Sequence, residues 1–186
     1  MKKEKARERI LKTAAELFYR QGFNSTGINQ IIAEADIAIG SLYNHFSSKN
    51  DLLQAYLIME ENEWFRGFEE HSAGISDPGK KIISLITYRK KLQKTSGFAG
   101  CHFIKIASET GESIPAVSDF VKSHKEKQKK LIREMVQQYA QNTALDTDQF
   151  SEHIFLLIEG AVVSSTISKK ASPFDHIQKI TEAMLP

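Results

Sequence analysis

An all-helical fold follows from three features of this 186-residue sequence. Apolar residues recur at three- and four-residue spacing, only four prolines and ten glycines interrupt them, and alternating β-branched runs are scarce. Apolar residues make up 41% and charged residues 26%, enough to bury a real core. The length suits one large domain, or a small one joined to a larger one.

In chain order, Ile10, Ala14, Leu17 and Phe18 define a first helix from about Lys3 to Gln21, stopped by Gly22. Thr26 can cap a second, short helix that buries Ile28, Ile31, Ile32 and Ala35. Asp36-Ile37-Ala38 forms a break, and a third helix runs from about Ile39 to His45 with Leu42 and Phe46 inward. Ser47 or Ser48 caps a fourth helix whose apolar stripe is Leu52, Leu53, Tyr56, Leu57 and Trp64. Beyond it the expected helices are longer. One starts at Pro78, a short one covers about 102–110, and one runs from Pro115 to about Gln141. Two more cover about 147–169 and Pro173 to Met184.

Two short helices joined by a tight turn, the second exposing polar side chains, form a helix-turn-helix. If Ile31, Ile32, Ile37 and Leu42 converge on Ile10, Leu17 and Phe18, then Ile39, Gly40, Ser41, Asn44 and His45 are left on the outer face. Glycine at 40 permits close approach to a groove, Asn44 can pair with adenine, and Ser41 can serve either base type. The Tyr43 hydroxyl and Lys49 can reach phosphates, the latter beside the amides that open the fourth helix. Residues 1–50 carry a net charge of +3 and the remainder −1, so the basic end is the one expected to meet DNA.

The stretch "GFNSTGINQIIAEADIAIGSLYNHFSSKNDLL" resembles the DNA-binding domain of the TetR family of bacterial transcriptional regulators. The resemblance lies in Gly22-Phe23, Ser25-Thr26, Ile31, Ala33, Ala35, Gly40, Ser41-Leu42-Tyr43, His45-Phe46, Lys49 and Leu52-Leu53, and adds Thr26 to the expected DNA contacts. It implies a three-helix DNA-binding domain over residues 1–50, then a helical-bundle ligand-binding and dimerisation domain over 51–186. The implied protein is a cytoplasmic homodimer on a palindromic operator, a repressor released by a small, apolar effector. The sequence departs from the family pattern at Asp36, Ala38 and Ile39. Asp36 can adopt the left-handed turn that a glycine would take, Ala38 lacks a capping oxygen, and Ile39 replaces a phosphate contact with a side chain suited to a thymine methyl.

With that family in view, "HIFLLIEGAVVSSTIS" is the expected dimer surface. Gly160, Ala161, Ser164 and Ser165 would allow close approach, and Phe155, Ile158, Val162 and Ile167 would supply area. The last helix, with Phe174, Ile177, Ile180 and Met184, would complete it. Trp64, Phe68, Tyr88, Phe98, His102, Phe103, Phe120 and Phe155 are the candidate effector-pocket residues, with Phe65, His153 and Glu159 also considered. Cys101, the one cysteine, opens a helix beside His102 and Lys105, and "GFAGCHFIKIASE" around it resembles a stretch in one branch of the family, some of whose members sense electrophiles or oxidants. The alternative for it is an apolar filler.

No metal-ligand spacing, nucleophile elbow or glycine-rich phosphate loop occurs, so neither an enzyme nor a cofactor is expected. No signal peptide is recognised, and "IFLLIEGAVV" is broken by Glu159, so no membrane span is expected. The competing reading is a helical adaptor or enzyme that has lost DNA binding.

Overall fold

The computed structural model describes residues 5–140 and 146–185. The expected end of a helix at Gln141 and the charges of Lys2 and Lys3 lie outside those residues. Among them the elements are α1 (Ala6–Gln21), α2 (Ile28–Glu34), α3 (Ile39–Tyr43), α4 (Lys49–His71) and α5 (Pro78–Thr95). α6 (His102–Thr110), a 3-10 turn (Gly111–Ser113), α7 (Pro115–Tyr139), α8 (Thr147–Ser168) and α9 (Ser172–Met184) follow.

The chain forms two units. One holds the described residues to Glu63 together with His102–Val121; the other holds Trp64–Cys101 and the described residues from Lys122 onward. The expected boundary after residue 50 therefore falls inside α4, one continuous helix, and α6 belongs with the N-terminal helices.

In the first unit Ile10, Leu17, Phe18, Ile31, Leu42, Leu52, Leu53 and Tyr56 are almost wholly buried. Phe18 packs edge-on against Phe23 and Tyr56, with ring centroids 5.3 and 5.6 Å apart. Ile32 and Ile37 are only partly covered. Phe103 and Phe120 stack on each other in this unit, with centroids 6.5 Å apart.

In the second unit α5, α8 and α9 pack together, burying Ile82, Leu85, Ile86, Ile154, Ile158 and Phe174. α4 and α5 approach closely at Gly67, where an added Cβ would lie 2.5 Å from the Tyr88 hydroxyl. That hydroxyl donates to the Trp64 carbonyl at 2.9 Å.

By length and a mean hydropathy of 1.3 over 18 residues alone, α8 is long and apolar enough to cross a membrane. Its Phe150, Ile154, Ile158, Ala161 and Val162 are instead core residues of the second unit. Its Glu159 is ion-paired with Lys125 at 2.8 Å.

Candidate nucleic-acid interface

The turn between α2 and α3 is built without the residues that would make it easiest. Asp36 takes a left-handed conformation, φ 49°, which costs about 1–2 kcal/mol outside glycine. Ala38 occupies the N-cap of α3 and supplies no side-chain acceptor. Backbone bonds close the turn, from Asp36 N–H to the Ala33 carbonyl and Ile37 N–H to the Ile32 carbonyl, both at 3.3 Å. Arg9 of α1 braces it, its Nη2 donating to the Asp36 carbonyl at 3.2 Å. Nothing local in the sequence marks Arg9 for this role, because its partner lies 27 residues away.

α3 is shorter than expected. Asn44 is its C-cap, and His45 N–H bonds back three residues to the Leu42 carbonyl at 3.0 Å. Leu42 and Phe46 are buried as anchors. Ile39 and Tyr43 are 57% and 52% exposed. Gly40, Asn44 and His45 are also exposed, and Ser41 is half-buried. A Cβ added at Gly40 would meet nothing within 4 Å. Of the residues expected on the outer face of the third helix, all but Ser41 are thus exposed, and Leu42 and Phe46 are buried.

Thr26 is a correction. It is 1% exposed, its hydroxyl donates to the Gly22 carbonyl at 2.7 Å, and Gly27 holds the N-cap position of α2. The side chain closes the α1–α2 loop and is not available to a phosphate. Ser48 rather than Ser47 caps α4, accepting from Asp51 N–H at 3.1 Å. Lys49 is half-buried, with Nζ 4.1 Å from the centroid of the Phe23 ring and 2.6 Å from the Phe23 carbonyl. Burial lowers its pKa, and the Glu109 carboxylate opposes that shift. Glu109 of α6 also accepts from Asn24 N–H at 3.1 Å. An ideal Cβ at Gly22, φ 93°, would come within 2.7 Å of the same carboxylate, so this loop has room only for glycine.

His102 stacks on Tyr19 at 3.8 Å, and its Nδ1 faces the Tyr56 hydroxyl at 2.7 Å and Glu60 at 3.0 Å. Burial, then the charge of Glu63, raises the Glu60 pKa to about 7. Lys105 donates to the Tyr19 carbonyl. Neither His102 nor Lys105 therefore serves Cys101 as expected. Cys101, 8% exposed, has Lys125 Nζ 3.8 Å from its sulfur.

The expected effector-pocket residues divide between the units. Phe103, Phe120 and His102 belong to the first. Trp64, Phe68 and Tyr88 form one aromatic cluster in the second, Trp64 and Tyr88 meeting edge-on at 5.8 Å. Phe98 sits with φ 59° in the turn after α5. Trp64 and Phe155 line a narrow space of about 10 Å³ with Arg89, Gln128 and Glu159, three residues far apart in sequence from one another. That volume holds a water at most.

The expected dimer stripe is also corrected. Ile158, Ala161, Val162, Ser165, Phe174 and Ile177 are buried within the subunit. Leu156, Val163, Ile167 and Ile180 are the exposed apolar residues, with Gly160 and Ser164 exposed among them.

Comparison with known proteins agrees with this architecture. The family model described as "Bacterial regulatory proteins, tetR family" matches residues 10–56, and "Tetracyclin repressor-like, C-terminal domain" matches residues 80–181. The HTH-type transcriptional regulator LmrA of Bacillus subtilis is 27% identical, over 97% of this chain and 96% of that protein. UidR of Escherichia coli is 36% identical over 81 residues, 44% of this chain and 41% of that protein. Among solved structures, SCO4454, a TetR-family transcriptional regulator from Streptomyces coelicolor, has a TM-score of 0.85 at 26% identity. That match covers 97% of this chain and 94% of the other. A helix-turn-helix with an exposed reading face, followed by the matching C-terminal domain, makes this chain a member of the TetR family of DNA-binding transcriptional regulators.

Proposed function

We propose that the protein is a homodimeric repressor that reads a palindromic operator with α3 and releases it when a small effector binds the second unit. The exposed face of α3 carries the reading. Gly40 faces open space, so the protein's own packing gives no reason for a residue lacking a side chain. A base pair pressed against the helix does give one. Ile39, Gly40, Ser41, Asn44 and His45 meet base edges, and Tyr43 and Lys49 meet phosphates. Lys49 does so by exchanging its carbonyl partner for a phosphate oxygen. Ile39 supplies an apolar contact to a thymine methyl.

Two copies are needed for affinity, with half-sites about 34–36 Å apart or a multiple of that. Leu156, Gly160, Val163 and Ile167 recur at helical intervals on α8, and Ile180 of α9 adds to this exposed apolar face. That face supports pairing of the last two helices of each subunit. α4 runs unbroken from Lys49 to Trp64 and Phe68, so a shift of the helix in the effector unit reaches the DNA-reading unit along the backbone. The switch is a population shift in which α4 pivots and the two recognition helices lose their spacing. Such a protein acts in the cytoplasm, where the chromosome is. Cys101 is a second input to the same switch: Cys101→Ser is expected to blunt the response to electrophilic inducers, and a full response to every inducing compound would refute this.

Footprinting on the DNA upstream of the protein's own gene tests this reading. Protection of a palindrome, lost on adding effector, is the expected result; no protected site at low salt refutes it.

A further inference from the structure

Two buried donors of the second unit have no acceptor. Arg89 of α5 is 5% exposed, and its Nη2 is sealed from solvent without a hydrogen-bond partner. Its guanidinium lies 5.8 Å from the centre of the Trp64 ring. The Trp64 Nε1 is itself buried and unpaired. Both line the same narrow space as Leu85, Phe155 and Glu159. Glu159 does not neutralise Arg89, because both of its oxygens are held by Lys125 at 2.8 Å. Gln128 turns its carbonyl oxygen to that same ammonium at 3.4 Å. Arg89, Lys125 and Glu159 together therefore leave one positive charge without a counter-charge, a state that buried groups seldom hold.

We infer that this space is the effector site and that the effector is a monocarboxylate with an aromatic or aliphatic body. The inference rests on the regulator reading above and names the chemical class of its ligand. The carboxylate accepts two parallel hydrogen bonds from the planar Arg89 fork and one from Trp64 Nε1. Its single charge cancels the excess, whereas a phosphate dianion would leave a buried negative charge. Leu85 and Phe155 take the apolar body. About 10 Å³ cannot admit such a molecule, so binding selects a conformation in which these walls have parted. Trp64 belongs to α4, which makes that opening a displacement of the helix that begins at Lys49.

Trp64 is the one tryptophan in the sequence, so its fluorescence reports on this site alone. The probes are 3-phenylpropionate and its uncharged amide, 3-phenylpropionamide, added to the full-length protein. The acid is expected to shift the emission saturably and to bind at least about tenfold more tightly than the amide, the factor worth about 1.4 kcal/mol. Arg89→Met, checked for helix content by circular dichroism, erases that preference, and Arg89→Lys weakens acid binding while keeping the sign of the preference. If Arg89→Met fails to fold, the acid–amide comparison on the wild type and on Arg89→Lys decides. Equal binding of acid and amide overturns the inference. So does an emission unaffected by every member of a panel of aromatic and aliphatic monocarboxylates. Duplex binding is measured on the same preparation. Protein that binds duplex but ignores carboxylates sinks the ligand class and leaves the regulator reading; protein that binds carboxylates but no duplex does the reverse.

Discussion

At Gly40 folding and DNA reading make opposite demands. Glycine inside a helix costs roughly 0.5–1 kcal/mol relative to alanine, and a methyl group there would meet no atom of the protein within 4 Å. Gly40→Ala is therefore expected to leave the melting temperature unchanged or raise it, while operator affinity falls at least about tenfold by fluorescence anisotropy. A variant that keeps wild-type affinity would remove α3 from the groove at that point. Ile39→Ala tests the thymine contact separately: it should weaken binding to sites with thymine at the facing position and spare those without it. Equal affinity for every sequence tried would dispose of the contact. Glu60 gives a prediction in pH. Its folded pKa of about 7 exceeds the ordinary 4.5, so the folded state holds the proton more tightly than the unfolded chain. Stability consequently falls as pH rises from about 4.5 to 7 and stays reduced above it. Glu60→Gln should gain on the wild type by about 3 kcal/mol between pH 4.5 and 8 in urea unfolding. A difference independent of pH would contradict the shift.

At the scale of elements, most helices were legible because apolar spacing and caps are local. Pro78 does open α5, with Asp77 capping it through Lys80 N–H at 2.7 Å, and the left-handed Asp36 was readable from the missing glycine. α3 ends two residues early because its last turn closes with a three-residue bond at His45, a tightening that side-chain spacing does not encode. Long side chains were the illegible part. Arg9 reaches the Asp36 carbonyl, Lys105 that of Tyr19 and Lys125 the Glu159 carboxylate. Those partners lie 27, 86 and 34 residues away, so only packing brings them together. Arg89 and Trp64 were missed as a pair for the same reason. On α8 the sequence could not say which apolar stripe faces inward, since apolar residues occur on both sides of the helix. The exposed stripe supplies its own test. Ile167, at 79% exposure, can accept a charge without disturbing the subunit core. Ile167→Glu should preserve helix content and shift the protein to monomer in analytical ultracentrifugation; an intact dimer would place the interface elsewhere.

For the molecule as a whole, the proposed switch links effector and operator through one chain, so the two are expected to weaken each other by the same factor. Full release from a site that is 99% occupied requires an effector preference of about 10⁴ between the two conformations. Closing the Arg89 space to about 10 Å³ in one of them is a physical basis for such a preference. The account depends first, however, on α3 meeting DNA as one of a symmetric pair. Titrating a palindromic duplex against the purified protein over a series of salt concentrations, with stoichiometry read in the same experiment, tests this most directly. The predicted result is two chains per palindrome and an affinity that falls linearly on a log–log plot as salt rises, with Lys49→Ala lowering the slope by about 1. One chain per duplex, or no binding even at the lowest salt, would contradict it.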